Sequence, residues 1–92
     1  MSILARFTPA NLTVEQYEEV NRRLEEGGHI PADGQELHVC FGDDGNLRIS
    51  EVWASEEQMH AFGEKLMPIL GEVGVQAAAP PEILPVVNTF TS

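Results

Sequence analysis

Alternating apolar and polar positions mark four candidate strands along the chain. The middle two flank Asp43-Asp44-Gly45-Asn46, and an Asp-Gly pair between alternating segments predicts a β-hairpin. Pro9 ends the first strand, and Pro85 indicates that the last lies at a sheet edge, because proline cannot donate a ladder hydrogen bond. The predicted strands cover residues 3–8, 36–42, 47–53 and 83–90.

Two other segments repeat apolar residues at three- and four-residue steps, which predicts amphipathic helices. Thr13 and Gln16 open the first with capping-box spacing, and Ser55 and Gln58 open the second. Pro68 lies inside the second pattern, where it is expected to kink the helix. The apolar stripes consist of Val14, Tyr17, Val20 and Leu24 in the first helix and of Met59, Phe62, Leu66, Leu70 and Val73 in the second.

The element order is therefore βαββαβ, which predicts an α+β, ferredoxin-like domain over residues 1–92, with two helices on one face of a four-stranded antiparallel sheet. A chain of 92 residues buries only about 60 % of the surface that it exposes when unfolded, so a monomer would be marginally stable. A single cysteine cannot form an intramolecular disulfide. We expect a homodimer that covers the open face of the sheet.

A turn that pairs Gly42 with Leu47 places His38 opposite Glu51. One face of the hairpin then carries His38, Cys40, Ile49, Glu51 and Trp53. The other face carries Leu37, Val39, Phe41 and Val52. The second set is apolar and lacks an acid, so we assign it to the helices and the first set to the open face.

His38 and Glu51 are the strongest chemical pair in the sequence. A carboxylate that binds one imidazole nitrogen raises the basicity of the ring and leaves the other nitrogen free to move a proton. The alternative is a cross-strand pair that satisfies its own hydrogen bonds at the dimer interface. The predicted site contains these two as acid–base residues and Trp53, Cys40, Ile49, Arg6 and Asn88 as substrate contacts.

The substrate contacts have competing interpretations. Trp53 offers a flat wall for an aromatic ligand, or fills the angle between sheet and helix. Arg6 on an outer strand suits a carboxylate or enolate, or pairs with one of the acids. Cys40 is expected to be a core thiol, since no cation lies near it in sequence. His29, in a loop with Asp33, is expected at the surface or in a lid.

The stretch Glu51-Val52-Trp53-Ala54-Ser55-Glu56-Glu57, together with Leu37-His38-Val39, resembles the dimeric α+β barrel superfamily, in particular small proteins of the antibiotic-biosynthesis-monooxygenase-like type. The resemblance implies two protomers packed sheet against sheet around a pocket. Some members oxidise polycyclic aromatic compounds with oxygen and no bound cofactor; others are isomerases, haem-degrading enzymes or proteins without established activity. Phe62 stands where many members carry a histidine, which weakens the monooxygenase and haem interpretations.

Composition excludes several classes of partner. The chain has 15 acidic and 5 basic residues and a formal charge of −10, which would repel nucleic acid and anionic membrane surfaces. No apolar run approaches the ~20 residues that span a bilayer. The three histidines lack metal-ligand spacing, so we expect no metal and no cofactor. The free thiol favours a cytoplasmic location.

The sequence thus favours a small-molecule-binding homodimer that acts, without a cofactor, as a monooxygenase or isomerase on an aromatic or polyketide-like compound. His38 would be its general base. The alternative is a non-catalytic binding or structural dimer.

Overall fold

The computed structural model describes residues 1–90 and contains one main sheet, two helices and a short accessory ribbon. The strands of the main sheet are β1 (Ile3–Phe7), β3 (Gln35–Phe41), β4 (Arg48–Trp53) and β6 (Glu82–Pro85), in the spatial order β3-β4-β1-β6. The helices are α1 (Val14–Glu26) and α2 (Glu56–Val73). The accessory ribbon pairs β2 (Pro9–Ala10) with β5 (Gln76–Ala77). The α+β, ferredoxin-like order with an antiparallel four-stranded sheet is confirmed.

The helix boundaries follow the predicted caps. Thr13 accepts a hydrogen bond from the backbone N–H of Gln16, whose side chain returns to the Thr13 backbone and completes the capping box of α1. Ser55 accepts from the backbone N–H of Gln58 at the start of α2. Gly74 ends α2 with a φ of 89°, a left-handed conformation that suits glycine. Pro68 lies on the exposed side of α2, which continues through it as one helix.

The register of the central hairpin is also confirmed. His38 pairs with Glu51, and Cys40 pairs with Ile49. The one irregularity is a bulge at Glu36, after which Gln35 pairs with Trp53. β1 pairs with β4 on one side and with β6 on the other, all antiparallel.

The assignment of the two sheet faces was wrong. Trp53 and Ala5 form the buried core with Met59 of α2, and Tyr17 of α1 contacts His38. The helices therefore cover the face that carries His38, Cys40, Ile49, Glu51 and Trp53. The prediction placed this face in the open because it carries the acid Glu51. In the structure, Glu51 receives enough hydrogen bonds to be buried as a carboxylate.

The open face is the apolar one. Leu37 pairs with Val52, Val52 with Leu4, and Leu4 with Leu84, so a single apolar row crosses all four strands. Phe41, Val39, Leu37 and Leu84 are between 40 % and 48 % exposed. These residues form a continuous surface without helix cover.

The last strand is shorter than predicted. β6 ends at Pro85, at the edge of the sheet, as its missing amide donor requires. Residues 86–90 follow without strand pairing, although Val86 donates a backbone hydrogen bond to Ser2. Asn88 is therefore not a strand residue.

Candidate functional site

A buried carboxylate lies at the centre of the sheet face beneath the helices. Glu51 is only 6 % exposed. Trp53 donates from Nε1 to Glu51 Oε1 at 3.0 Å, and Gln35 donates from Nε2 to Glu51 Oε2 at 2.9 Å. His38 Nδ1 lies 2.6 Å from the same Oε2. Three donors thus replace the water that an ionised carboxylate would otherwise require.

Strand geometry explains why these side chains meet. Glu51 and Trp53 are two residues apart on β4 and point to the same face. His38 lies directly opposite Glu51 on β3. The bulge at Glu36 shifts the alternation of β3 by one residue, so Gln35 reaches the same carboxylate instead of pointing to the other face.

His38 connects this carboxylate to α1. An ionised carboxylate only accepts hydrogen bonds, so Nδ1 of His38 carries the proton that Glu51 binds. Nε2 of a neutral ring is then an acceptor, and the hydroxyl of Tyr17 lies 2.6 Å from it. The two rings stack with centroids 5.9 Å apart and an interplanar angle of 13°. The result is a hydrogen-bonded chain from Tyr17 through His38 to Glu51.

This chain leads from the interior towards solvent. The side chain of Glu51 is 8 % exposed, whereas that of His38 is 30 % exposed. Burial raises the pKa of Tyr17 above its ordinary value of 10.0; a side-chain hydrogen bond with Asn21 lowers it, and the charges of Cys40 and Glu51 raise it. The phenol is therefore neutral at neutral pH and can donate to His38.

The predicted substrate contacts divide into two groups. Ile49 and Cys40 lie beside His38 and Glu51 on the helix-covered face, and burial raises the pKa of the Cys40 thiol, which keeps it protonated. Trp53 is 0 % exposed; its ring lies 5.5 Å from that of Phe62, tilted by 40°. In the single chain, Trp53 therefore fills the angle between sheet and helix.

Arg6 and Asn88 do not join the site. Arg6 pairs with Ser50 and Glu82 in the sheet and therefore points to the open face, where its guanidinium lies 3.8 Å from Glu82. Asn88 is exposed in the segment after β6. The prediction that these residues share a face with His38 was wrong because Arg6 pairs with Ser50, one residue from Glu51 and on the opposite face, and because the last strand ends before Asn88.

Two surface depressions lie elsewhere. One, of about 470 Å³, is lined by residues of α1, its preceding loop and Val73. The other, of about 430 Å³, is lined in part by His29, Asp33, Phe62 and Lys65. Neither is lined by His38 or Glu51. Across residues 1–90, no group of three or more His, Cys, Asp or Glu side chains is arranged to hold a metal ion.

Sequence reasoning missed two members of the network. Tyr17 belonged to the predicted apolar stripe of α1, which already indicated that it faces the sheet. Because the faces were inverted, His38 was not expected beneath it. Gln35 was placed in the preceding loop, and no pattern in the sequence signalled the bulge that turns it inward.

The fold of this chain is similar to those of several solved structures, although no match was found in sequence. No family model matches the chain, and no curated protein matches it in sequence. A structure from Chloroflexus aurantiacus, assigned as an antibiotic biosynthesis monooxygenase, is similar with a TM-score of 0.61 and 20 % identity, over 96 % of this chain and 97 % of that one. A protein from Deinococcus radiodurans with the same assignment is similar with a TM-score of 0.59 and 17 % identity, over 100 % and 98 %.

A third similar structure is SnoaB, a cofactor-independent oxygenase from Streptomyces nogalater, with a TM-score of 0.60 and 14 % identity over 99 % of this chain and 96 % of that one. The resemblance predicted from the sequence is confirmed at the level of the fold. This chain has the fold of the antibiotic-biosynthesis-monooxygenase-like proteins. Among residues 1–90, no helix is long and apolar enough to cross a membrane.

Proposed function

We propose that the chain is a homodimeric, small-molecule-binding protein that removes a proton from an aromatic or polyketide-like compound without a cofactor, as a monooxygenase or an isomerase. The observation that carries this proposal is the 2.6 Å contact between His38 Nδ1 and the buried carboxylate of Glu51. A cytoplasmic location and a single domain over residues 1–92 stay predictions.

The charge arrangement suits a general base. When His38 accepts a proton, the imidazolium forms beside a carboxylate that already binds its other nitrogen, so the new charge is compensated where it appears. Gln35 and Trp53 hold the carboxylate on its remaining sides. Glu51 therefore has a fixed position and orients His38 in turn.

Both reaction types begin with the same step. The proton of an acidic C–H group is transferred through the base, and the electron pair stays on the substrate as an enolate. In an isomerase the proton returns to another carbon. In a monooxygenase the carbanion reduces O₂: one oxygen atom stays on a methylene carbon as a carbonyl, and the other leaves as water with the two hydrogens removed.

The open face supports the homodimer. The row formed by Leu37, Val52, Leu4 and Leu84 spans the sheet, and soluble proteins rarely leave such a continuous apolar surface uncovered. A second copy presents the same row and is self-complementary. Native mass spectrometry of the purified protein would report both the dimer and any retained small molecule.

The activity can be tested by exchange of the α-hydrogens of β-tetralone, an enolisable aryl ketone, for deuterium from D₂O. We expect the wild type to accelerate exchange and His38→Ala to lose it. His60→Ala is the matched control, because His60 is an exposed histidine of α2 whose ring pairs with Glu56 at 3.3 Å, away from His38 and Glu51. Equal exchange by the wild type and His38→Ala would contradict the role of His38.

A specific observation also favours the non-catalytic alternative. Within the described chain, no buried side-chain nitrogen or oxygen lacks a hydrogen-bond partner, so the network around Glu51 is complete without a ligand. A structural network requires nothing more. A dimer without retained ligand and without exchange of the ketone would support this second function.

A further inference from the structure

We propose that Tyr17 is a further catalytic residue: its hydroxyl contacts the substrate and passes the proton to His38. This inference rests on the proposed function and adds the residue through which the base acts. The supporting observation is that both ring nitrogens of His38 are engaged, Nδ1 by Glu51 and Nε2 by the Tyr17 hydroxyl.

The hydrogen bond at Nε2 of His38 limits how a substrate proton can reach this base. A substrate C–H group cannot occupy the position that the Tyr17 hydroxyl holds 2.6 Å from Nε2. Tyr17 is half-buried and His38 is more exposed, whereas Glu51 is deeply buried. Because Glu51 holds Nδ1 and the Tyr17 hydroxyl holds Nε2, the phenol oxygen is the polar atom through which a substrate proton can reach the ring.

Tyr17 is held in place by its helix. Its backbone N–H donates to Thr13 at 3.0 Å, and the capping box fixes the first turn of α1. The N–H of Val14, the first residue of α1, donates to Asp44 of the hairpin at 2.9 Å. This bond connects the first turn of α1 to the sheet. The stacking of the Tyr17 and His38 rings fixes the phenol further. The hydroxyl is thus preorganised relative to the imidazole.

The transfer balances without an external reagent. The substrate C–H bond breaks, and its proton binds the phenol oxygen as the original hydroxyl proton moves to Nε2 of His38. The products are a substrate enolate, a neutral Tyr17 and an imidazolium at His38 beside the Glu51 carboxylate. Because burial raises the pKa of Tyr17, the phenol acts as a relay and does not accumulate as tyrosinate.

The first test is Tyr17→Phe, which keeps the stacked ring and removes only the hydroxyl. We expect deuterium exchange into β-tetralone to fall by about a hundredfold, with ketone binding and the amide NMR spectrum retained. Unchanged or faster exchange would overturn the relay, because Tyr17 would then only pack on His38 or cover it. Loss in His38→Ala with full exchange in Tyr17→Phe would leave the proposed function intact. A wild type without exchange would overturn both.

A second test is independent of turnover. Tyr17 is the single tyrosine of the chain, so tyrosinate absorbance during a pH titration reports this residue alone. Glu51→Gln removes a charge that raises the pKa of Tyr17, whereas Asn21→Ala removes a hydrogen bond that lowers it. Shifts of opposite sign, downward in Glu51→Gln and upward in Asn21→Ala, are expected. Cys40 and His38 also face the phenol, so both are kept unchanged.

His60→Ala is the control for this titration as well, and it should leave the Tyr17 pKa unchanged. If Tyr17 titrates like a free tyrosine in the wild type and in all variants, its hydroxyl is not held by His38 and the relay is overturned. Loss of exchange in Tyr17→Phe together with the opposite pKa shifts supports it.

Discussion

The two faces of the main sheet differ in a way that reverses the usual distribution of residues. The face beneath the helices contains a buried carboxylate, that of Glu51, together with a partly exposed imidazole and a half-buried amide that bind it. The open face contains the apolar row and the half-exposed Val39 and Phe41. Hydrogen-bond satisfaction, more than polarity, therefore decides which side of this sheet can be buried.

The covered face is stabilised by shape as well as by hydrogen bonds. Trp53 is the largest fully buried side chain, and it packs on Phe62 while its indole N–H binds Glu51. On the open face, Val52 is the one row member that its neighbours bury. The first face is complete within one chain, whereas the second is the surface through which we propose that two copies associate.

Trp53→Ala should lower the stability of the folded protein more than any other substitution considered below. Trp53→Ala leaves a cavity and an unpaired oxygen on Glu51, and we expect the free energy of unfolding to fall by about 3–5 kcal/mol. Urea denaturation followed by circular dichroism measures it. Phe90→Ala is the control, since Phe90 is 89 % exposed. A similar loss in both variants would mean that Trp53 is not the core residue that the packing indicates.

Glu51→Gln should be the next largest change. A glutamine offers one acceptor oxygen where the carboxylate offered two, so at least one of the three donors faces an NH₂ group. We expect a loss of about 1–3 kcal/mol in the free energy of unfolding. Glu18→Gln on the exposed side of α1 is the control. No loss in Glu51→Gln would show that the network contributes nothing to stability.

Val39→Lys tests the open face. Val39 and Val14 are both 41 % exposed, the first on the open face and the second on α1. A lysine at position 39 should raise the dimer dissociation constant at least about tenfold, or about 1.4 kcal/mol, and Val14→Lys should not. Sedimentation equilibrium measures both. Equal effects, or a monomeric wild type, would contradict the proposed dimer.

The smallest effect is expected away from both faces, in the ion pairs on α1. Hydrogen bonds from Arg22 and Arg23 lower the pKa of Glu19 from 4.5 to about 2. A lowered pKa stabilises the folded state above pH 4.5, and this contribution is lost as the pH falls through about 2. The difference in melting temperature between wild type and Glu19→Gln should therefore close on acidification. It should also shrink with added salt.

The sequence predicted the elements of this fold better than their faces. Period, caps and the Asp-Gly turn identified both helices and the His38–Glu51 register, because these are local signals. Which face the helices cover depends on where the hydrogen bonds of Glu51 can be satisfied. Gln35 reaches Glu51 because of a bulge, and Tyr17 contacts its partner His38. No local pattern in the sequence specifies either contact. Arg6 was placed with His38 for a different reason: no local signal sets the register between β1 and β4, in which Arg6 pairs with Ser50.

The position of β1 has a consequence for folding during synthesis. β1 is the first strand in the chain, yet its two neighbours in the sheet are β4 and β6, which are made much later. Until then its apolar residues, including Ile3 and Phe7, have no strand beside them. Such a segment is prone to pair with other chains. During synthesis, β1 can therefore enter the sheet only after β4 has been made, and it gains its second neighbour only with β6.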